Sequence, residues 1–135
     1  MRGVLINPHT RSISALEWDG KLKTIYMLLN CTSVEFVGGL PRRHGLYCDG
    51  EAKLRENEDA ANTWFKGGTY SIEGNILITG PAGPQGEETD CTLTLKEVKS
   101  LIDKFTVGFE EPPEPEIYGF STVEEVLDHL QSRRK

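Results

Sequence analysis

The spacing of apolar and polar positions in the first third of the chain predicts a β-hairpin followed by a helix. Two short apolar-rich runs, residues 4–6 and 12–18, flank the turn-forming pair Asn7 and Pro8, a pattern typical of two paired strands. The next apolar residues recur at intervals of three and four, which indicates a helix of about three turns that Asn30 ends. These helical positions are Leu22, Ile25, Tyr26 and Leu29.

Four further strands are predicted in the middle of the chain. Val34, Phe36 and Val37 form one short apolar run. Residues 46–48 precede an Asp-Gly pair, which is typical of a tight turn and predicts a second hairpin with residues 51–54. Residues 75–79 form the most apolar strand, and a Gly/Pro-rich loop over residues 80–86 follows it.

Two Thr/Ser-x-x-Glu capping boxes begin two further helices near the C-terminus. The box of Thr94 and Glu97 opens an apolar stripe consisting of Leu95, Val98, Leu101, Ile102 and Phe105. The box of Ser121 and Glu124 opens a second stripe, consisting of Val123, Val126, Leu127 and Leu130. Residues 110–116, Glu-Glu-Pro-Pro-Glu-Pro-Glu, separate them, and this composition excludes a helix or a central strand.

These patterns predict an α+β fold, with a mostly antiparallel sheet built from hairpins and two packed helices. A C-terminal helix follows a Pro/Glu linker. We divide the chain into an α+β domain at residues 1–109, a linker at 110–116 and the C-terminal helix at 117–135.

Composition excludes several classes of function. The chain has 135 residues and a formal charge of −6, which suits one compact domain and argues against binding a nucleic-acid backbone. No apolar run reaches the roughly 18 residues of a membrane span. The three cysteines, Cys31, Cys48 and Cys91, lack the close spacing of a zinc or redox motif, so we expect reduced thiols in a cytoplasmic protein.

Catalytic, metal and cofactor motifs are not expected in this sequence. The loop at residues 80–86 continues into Glu87 and Glu88, where a phosphate-binding loop would carry Lys and Ser or Thr. The acidic cluster at residues 56–59 lacks the ligand spacing of a calcium loop. The sequence therefore indicates a non-catalytic protein with no cofactor and no metal site.

The basic cluster Arg42-Arg43-His44 is the candidate ligand-binding feature. Arginine suits bidentate contact with phosphate or carboxylate, and nearby aromatic residues could stack on a base. The candidate site consists of Arg42, Arg43, His44, Tyr47, Trp64 and Tyr70. The alternative is that the aromatic residues belong to the core and the arginines solubilise a loop.

The C-terminal helix is the candidate partner-binding element. Its stripe of Val123, Val126, Leu127 and Leu130 is the pattern that a helix needs to bind a groove on another protein. Docking of this helix on its own domain and homo-oligomerisation are alternatives that remain open.

Several segments together resemble a small uncharacterised domain common in phages, plasmids and conjugative elements, the domain of unknown function 3846 type. They are residues 4–8, 12–20, 45–51 and 74–80, with Ile25-Tyr26 and Trp64-Phe65. The resemblance covers roughly residues 1–108 and implies an accessory protein of a mobile element; the family carries no established activity that could be transferred to a residue here.

Two functional hypotheses follow. The first is a non-catalytic binding module of a phage or mobile element that inhibits or modulates a host protein, for example a defence protein, in the host cytoplasm. The second is a protein that sequesters a small nucleotide or signalling ligand through Arg42, Arg43 and the aromatic residues.

Overall fold

The N-terminal hairpin is present as the sequence predicts. The computed structural model describes residues 1–52, 60–67 and 71–108. Strand β1 (Arg2–Asn7) pairs antiparallel with β2 (Ser12–Glu17) along its whole length. The Asn7 side chain accepts hydrogen bonds from the backbone N–H groups of His9 and Thr10, so this residue stabilises the turn itself.

Three more strands complete a five-stranded antiparallel sheet around the most apolar segment. They are β3 (Val34–Val37), β4 (Gly45–Asp49) and β7 (Ile76–Thr79), in the order β2-β1-β7-β4-β3. All four residues of β7 are buried, as expected of a central strand with both faces covered.

The sequence patterns predict a single sheet, whereas the structure also contains a second, three-stranded antiparallel sheet. It consists of β5 (Ala61–Phe65), β6 (Ser71–Glu73) and β8 (Ile102–Val107), in the order β6-β5-β8. Strand β8 is therefore at the edge of this sheet among the described strands.

Two helices accompany the sheets. Helix α1 (Leu22–Leu29) ends at Asn30, whose φ of 49° places it in the left-handed region that ends many helices. Helix α2 (Leu95–Leu101) begins with the predicted capping box, in which Thr94 Oγ1 accepts from the Glu97 backbone and Glu97 Oε1 accepts from the Thr94 backbone.

The five-stranded sheet lies between two apolar clusters. On one face, Leu77 packs with α1 and with Trp18, and Gly3 makes room because a Cβ there would lie 3.0 Å from Trp18 Nε1. On the other face, β-strand residues such as Ile6 and Ile78 pack against residues of α2 and the three-stranded sheet. The molecule therefore has three layers, with an α+β composition and mostly antiparallel sheets.

Two local predictions were wrong. The second helix ends at Leu101, because Ile102–Val107 pairs with β5 as strand β8 and Ile102 has extended backbone angles. The predicted hairpin of residues 46–48 with residues 51–54 is also wrong, because β3 and β7 pair with both edges of β4 and Glu51 lies in a turn; residues 53 and 54 lie outside the described residues. The linker at 110–116 and the C-terminal helix at 117–135 lie outside the described residues.

Candidate functional site

Arg42 binds the first turn of α2. Its Nη1 donates to Glu97 Oε2 at 2.7 Å, and its Nη2 lies 3.3 Å from both Glu97 Oε1 and the Thr92 carbonyl oxygen. The hydrogen bonds from Arg42 and from the Thr94 backbone lower the pKa of Glu97 to about 2. The guanidinium is thus engaged by a carboxylate of its own chain.

His44 is buried and joins the same region. The Thr92 backbone N–H can only donate, so His44 Nε2 is the acceptor of this 3.0 Å hydrogen bond. Its Nδ1 then carries the proton and donates to the Pro41 carbonyl oxygen at 2.9 Å. This neutral ring connects the loop before β4 to the segment before α2. Between Pro41 and His44, Arg42 and Arg43 are exposed and both have left-handed backbone angles, with φ of 54° and 64°.

Tyr47 lies on the opposite side of the five-stranded sheet from α2. Its ring contacts Phe36 at a centroid distance of 5.2 Å, and its hydroxyl donates to Glu88 Oε1. Burial, and then the hydrogen bond to Glu88, raise the pKa of Tyr47 to about 12. This tyrosine therefore connects the segment that follows the Gly/Pro-rich loop to the sheet.

Trp64 belongs to the other sheet. Its Nε1 donates to Thr106 Oγ1 at 3.0 Å, and Lys104 Nζ lies 5.3 Å from the centroid of its ring. Both partners are on β8, so the indole stabilises the pairing of β5 with β8.

The predicted ligand site is brought together only in part. Arg42 and His44 meet at the segment before α2, whereas Tyr47 and Trp64 lie in two other places and make contacts of their own. Tyr70 lies outside the described residues, as do the partner-binding candidates Val123, Val126, Leu127 and Leu130. The nucleotide-site interpretation stays a prediction.

A groove with a different set of residues lies between the edges of the two sheets. It has a volume of about 540 Å³ and is formed by the start of β2, by α2 and by the first half of β8. Its apolar residues are Ile13, Leu95, Ile102 and Phe105. Its charged residues are Arg11, Lys96, Lys99, Asp103 and Lys104.

The groove is basic although the chain is acidic. In the described part of the chain, the ion pairs are those of the Met1 ammonium with Glu17 and of Arg42 with Glu97. Arg11, Lys96 and Lys99 are exposed and take part in neither pair. Lys104 lies over Trp64 and keeps its charge, so four cations and one carboxylate, Asp103, line the groove.

Comparison with known proteins identifies the family. The model of the family described as Domain of unknown function (DUF3846) matches residues 1–106. The chain belongs to this family. No curated protein and no solved structure matches it. The matched DUF3846 region contains every described strand and helix, although β8 continues one residue beyond it, and it includes the whole groove.

Two of the candidate ligand-binding residues, Arg42 and His44, hold one side of the groove in place. Arg42 and His44 bind Glu97 and Thr92, and these contacts hold the start of α2, the helix that carries Lys96 and Lys99. Arg2 adds a second restraint, because its Nη1 donates to the Cys91 and Leu93 carbonyl oxygens at 2.6 and 2.7 Å.

Sequence reasoning missed the groove cations. The three-residue spacing of Lys96 and Lys99 predicts that both lie on one side of a helix. The sequence does not predict that Arg11 lies near them, because that proximity depends on the packing of α2 against β2.

No helix in residues 1–52, 60–67 and 71–108 is long and apolar enough to cross a membrane. Within the same ranges, no group of three or more His, Cys, Asp or Glu residues is arranged to hold a metal ion.

Proposed function

We propose that this protein is a non-catalytic binding module of a phage or mobile element that inhibits or modulates a host protein in the host cytoplasm. The groove between β2, α2 and β8 is the surface through which it binds. The observation that carries the proposal is the combination of an apolar floor with cations that lack a carboxylate partner within the described chain.

The composition of the groove supports a protein as the partner. Interfaces between proteins combine a buried apolar centre with a polar rim, and this groove has both. Leu95 keeps 40% of its surface exposed and shares the groove with Ile13 and Phe105, so a bound protein segment would remove a contiguous apolar surface from water. The residues of α2 that line the groove are held by the capping box and by Arg42, so the surface is formed before binding.

The experiment is affinity capture from host-cell lysate with tagged full-length chains. The groove variant is Leu95→Ser/Lys99→Gln, which changes one apolar and one cationic position. The matched control is Leu22→Ser/Lys23→Gln, because Leu22 is also an exposed leucine at the first position of its helix, with 52% exposure. Thermal melts verify that both variants are folded.

We expect a host protein that the unmodified chain and the control both retain and that the groove variant loses. A partner retained equally by all three chains would place the binding surface elsewhere and contradict the assignment to the groove. Nucleotide recovered with the purified chain would favour the small-ligand hypothesis instead.

A further inference from the structure

The chemistry of the groove specifies which kind of protein segment it accepts. We propose that the groove binds a short acidic segment of the partner protein in which apolar side chains are interspersed with carboxylates. This inference rests on the proposed function and adds the chemical class of the ligand to it.

The acidic character follows from the charges on the rim. Arg11, Lys96 and Lys99 take part in neither of the two ion pairs of the described chain, whereas Asp103 is the one carboxylate of the lining. A carboxylate that enters this groove is attracted by these three cations and by Lys104, and is repelled by one acid. Arginine also offers a carboxylate two parallel N–H donors, which fixes the orientation of the bound group.

The apolar character follows from the floor. Ile13 and Phe105 are half-buried, and Leu95 is exposed, so a purely charged ligand would leave this surface in water. Apolar side chains of a bound segment would remove the apolar surface of the groove from water, which is favourable in proportion to the buried area.

A nucleic acid fits these observations less well than an acidic peptide. Single-stranded nucleic acids bind grooves in which several aromatic side chains stack on successive bases, and Phe105 is the one aromatic residue in this lining. A long polyanion also interacts with the whole molecule, whose formal charge is −6. A short acidic segment interacts mainly with charges within about 10 Å, because salt screens the more distant ones.

The acidic segment of the chain itself is the competing occupant. Residues 110–116 carry Glu110, Glu111, Glu114 and Glu116, but their other residues are prolines. Within this segment the apolar side chains are prolines alone, and the larger ones, Phe109, Ile117 and Tyr118, flank the carboxylates instead of alternating with them. A partner segment in which larger apolar side chains alternate with carboxylates complements both the rim and the floor.

The test measures binding of a fluorescein-labelled heptapeptide, Glu-Leu-Glu-Leu-Glu-Leu-Glu, to the full-length chain by fluorescence anisotropy. The lysine counterpart, Lys-Leu-Lys-Leu-Lys-Leu-Lys, is the matched probe. We expect the acidic peptide to bind, and to bind at least tenfold more tightly than the lysine peptide. The affinity should fall as the salt concentration rises, because exposed charges are screened.

Lys96→Gln/Lys99→Gln should weaken binding of the acidic peptide by roughly three- to tenfold, the effect of two exposed charge contacts. Lys21→Gln/Lys23→Gln, which removes two exposed lysines at the start of α1, should leave the affinity unchanged. Equal affinity for both peptides, or an unchanged affinity in the groove variant, would overturn the acidic assignment. The capture experiment would still decide whether the groove binds a protein at all.

A variant with Glu110, Glu111, Glu114 and Glu116 changed to Gln separates the two occupants. We expect it to bind the acidic peptide as the unmodified chain does. Binding that appears only in this variant would show that the chain's own acidic segment occupies the groove, and this would overturn the assignment to a partner.

Discussion

At the scale of single residues, the side chains with the clearest ligand-binding chemistry hold the fold together. Arg42 pairs with Glu97, and buried His44 accepts from the Thr92 backbone, so both are positioning residues for α2. A cluster of Arg and His in the sequence indicates affinity for anions, but it does not reveal that the anion is a carboxylate 55 residues further along the same chain.

The Arg42–Glu97 pair should make stability depend on pH. The folded state lowers the pKa of Glu97 from 4.5 to about 2, so the pair stabilises the fold above pH 4.5 and loses this effect as the pH falls towards 2. Arg42→Ala should lower the melting temperature at pH 7, and the difference from the unmodified chain should shrink below pH 4.5.

Thermal melts from pH 7 to pH 2 measure this difference. Arg43→Ala is the control, because Arg43 is exposed and also has a positive φ but takes part in neither ion pair of the described chain. A melting-temperature difference between Arg42→Ala and the unmodified chain that is constant down to pH 2 would show that the ion pair is not its source.

At the scale of elements, the boundary between α2 and β8 shows how pairing overrides periodicity. Ile102 and Phe105 continue the helical spacing of Val98 and Leu101, which predicts a longer helix. The strand forms because residues 102–107 pair with β5, and Trp64 adds side-chain contacts to Thr106 and Lys104. Ile, Phe, Thr and Val are also residue types that favour strands.

The capping box should be important for α2, because a seven-residue helix is far too short to be stable alone. Thr94→Ala removes the acceptor for the Glu97 backbone N–H and should lower the free energy of unfolding by about 1 kcal/mol. Chemical denaturation measures this change. Thr94→Ser keeps the hydroxyl and should restore most of the stability; equal losses in both variants would exclude the cap as the cause.

At the scale of the whole molecule, the two apolar clusters on either face of the five-stranded sheet form the core. Their described buried residues range from Val4 to Ile102, and Phe105 packs against the cluster that includes α2. The groove lies where the edges of the two sheets and α2 meet, which explains why its residues come from three elements and from two distant parts of the sequence, residues 11–13 and 95–105.

A chain that ends at residue 109 should therefore remain folded. Every described residue of the two clusters precedes that point, so we expect a cooperative thermal transition and a β-rich circular dichroism spectrum. Retained folding with loss of the host partner would support a partner-binding role for residues 117–135. Aggregation or a non-cooperative transition would show instead that the C-terminal residues belong to the core.

The sequence by itself determined the features that depend on neighbouring residues. Asn7 and Asn30 mark a turn and a helix end through local hydrogen bonds and backbone angles, and Thr94 with Glu97 specifies a helix start. The apolar run at residues 76–78 likewise identified a buried strand, because a strand with both faces covered has apolar side chains at successive positions.

Only the tertiary structure decided which distant segments are neighbours. It placed β7 between β1 and β4, separated the strands into two sheets and brought Arg11 to the cations of α2. These contacts depend on the burial of whole faces and on backbone pairing between distant segments, neither of which leaves a local pattern. The candidate ligand residues were therefore recognisable from the sequence as anion-binding types, whereas the groove became visible only once the chain was folded.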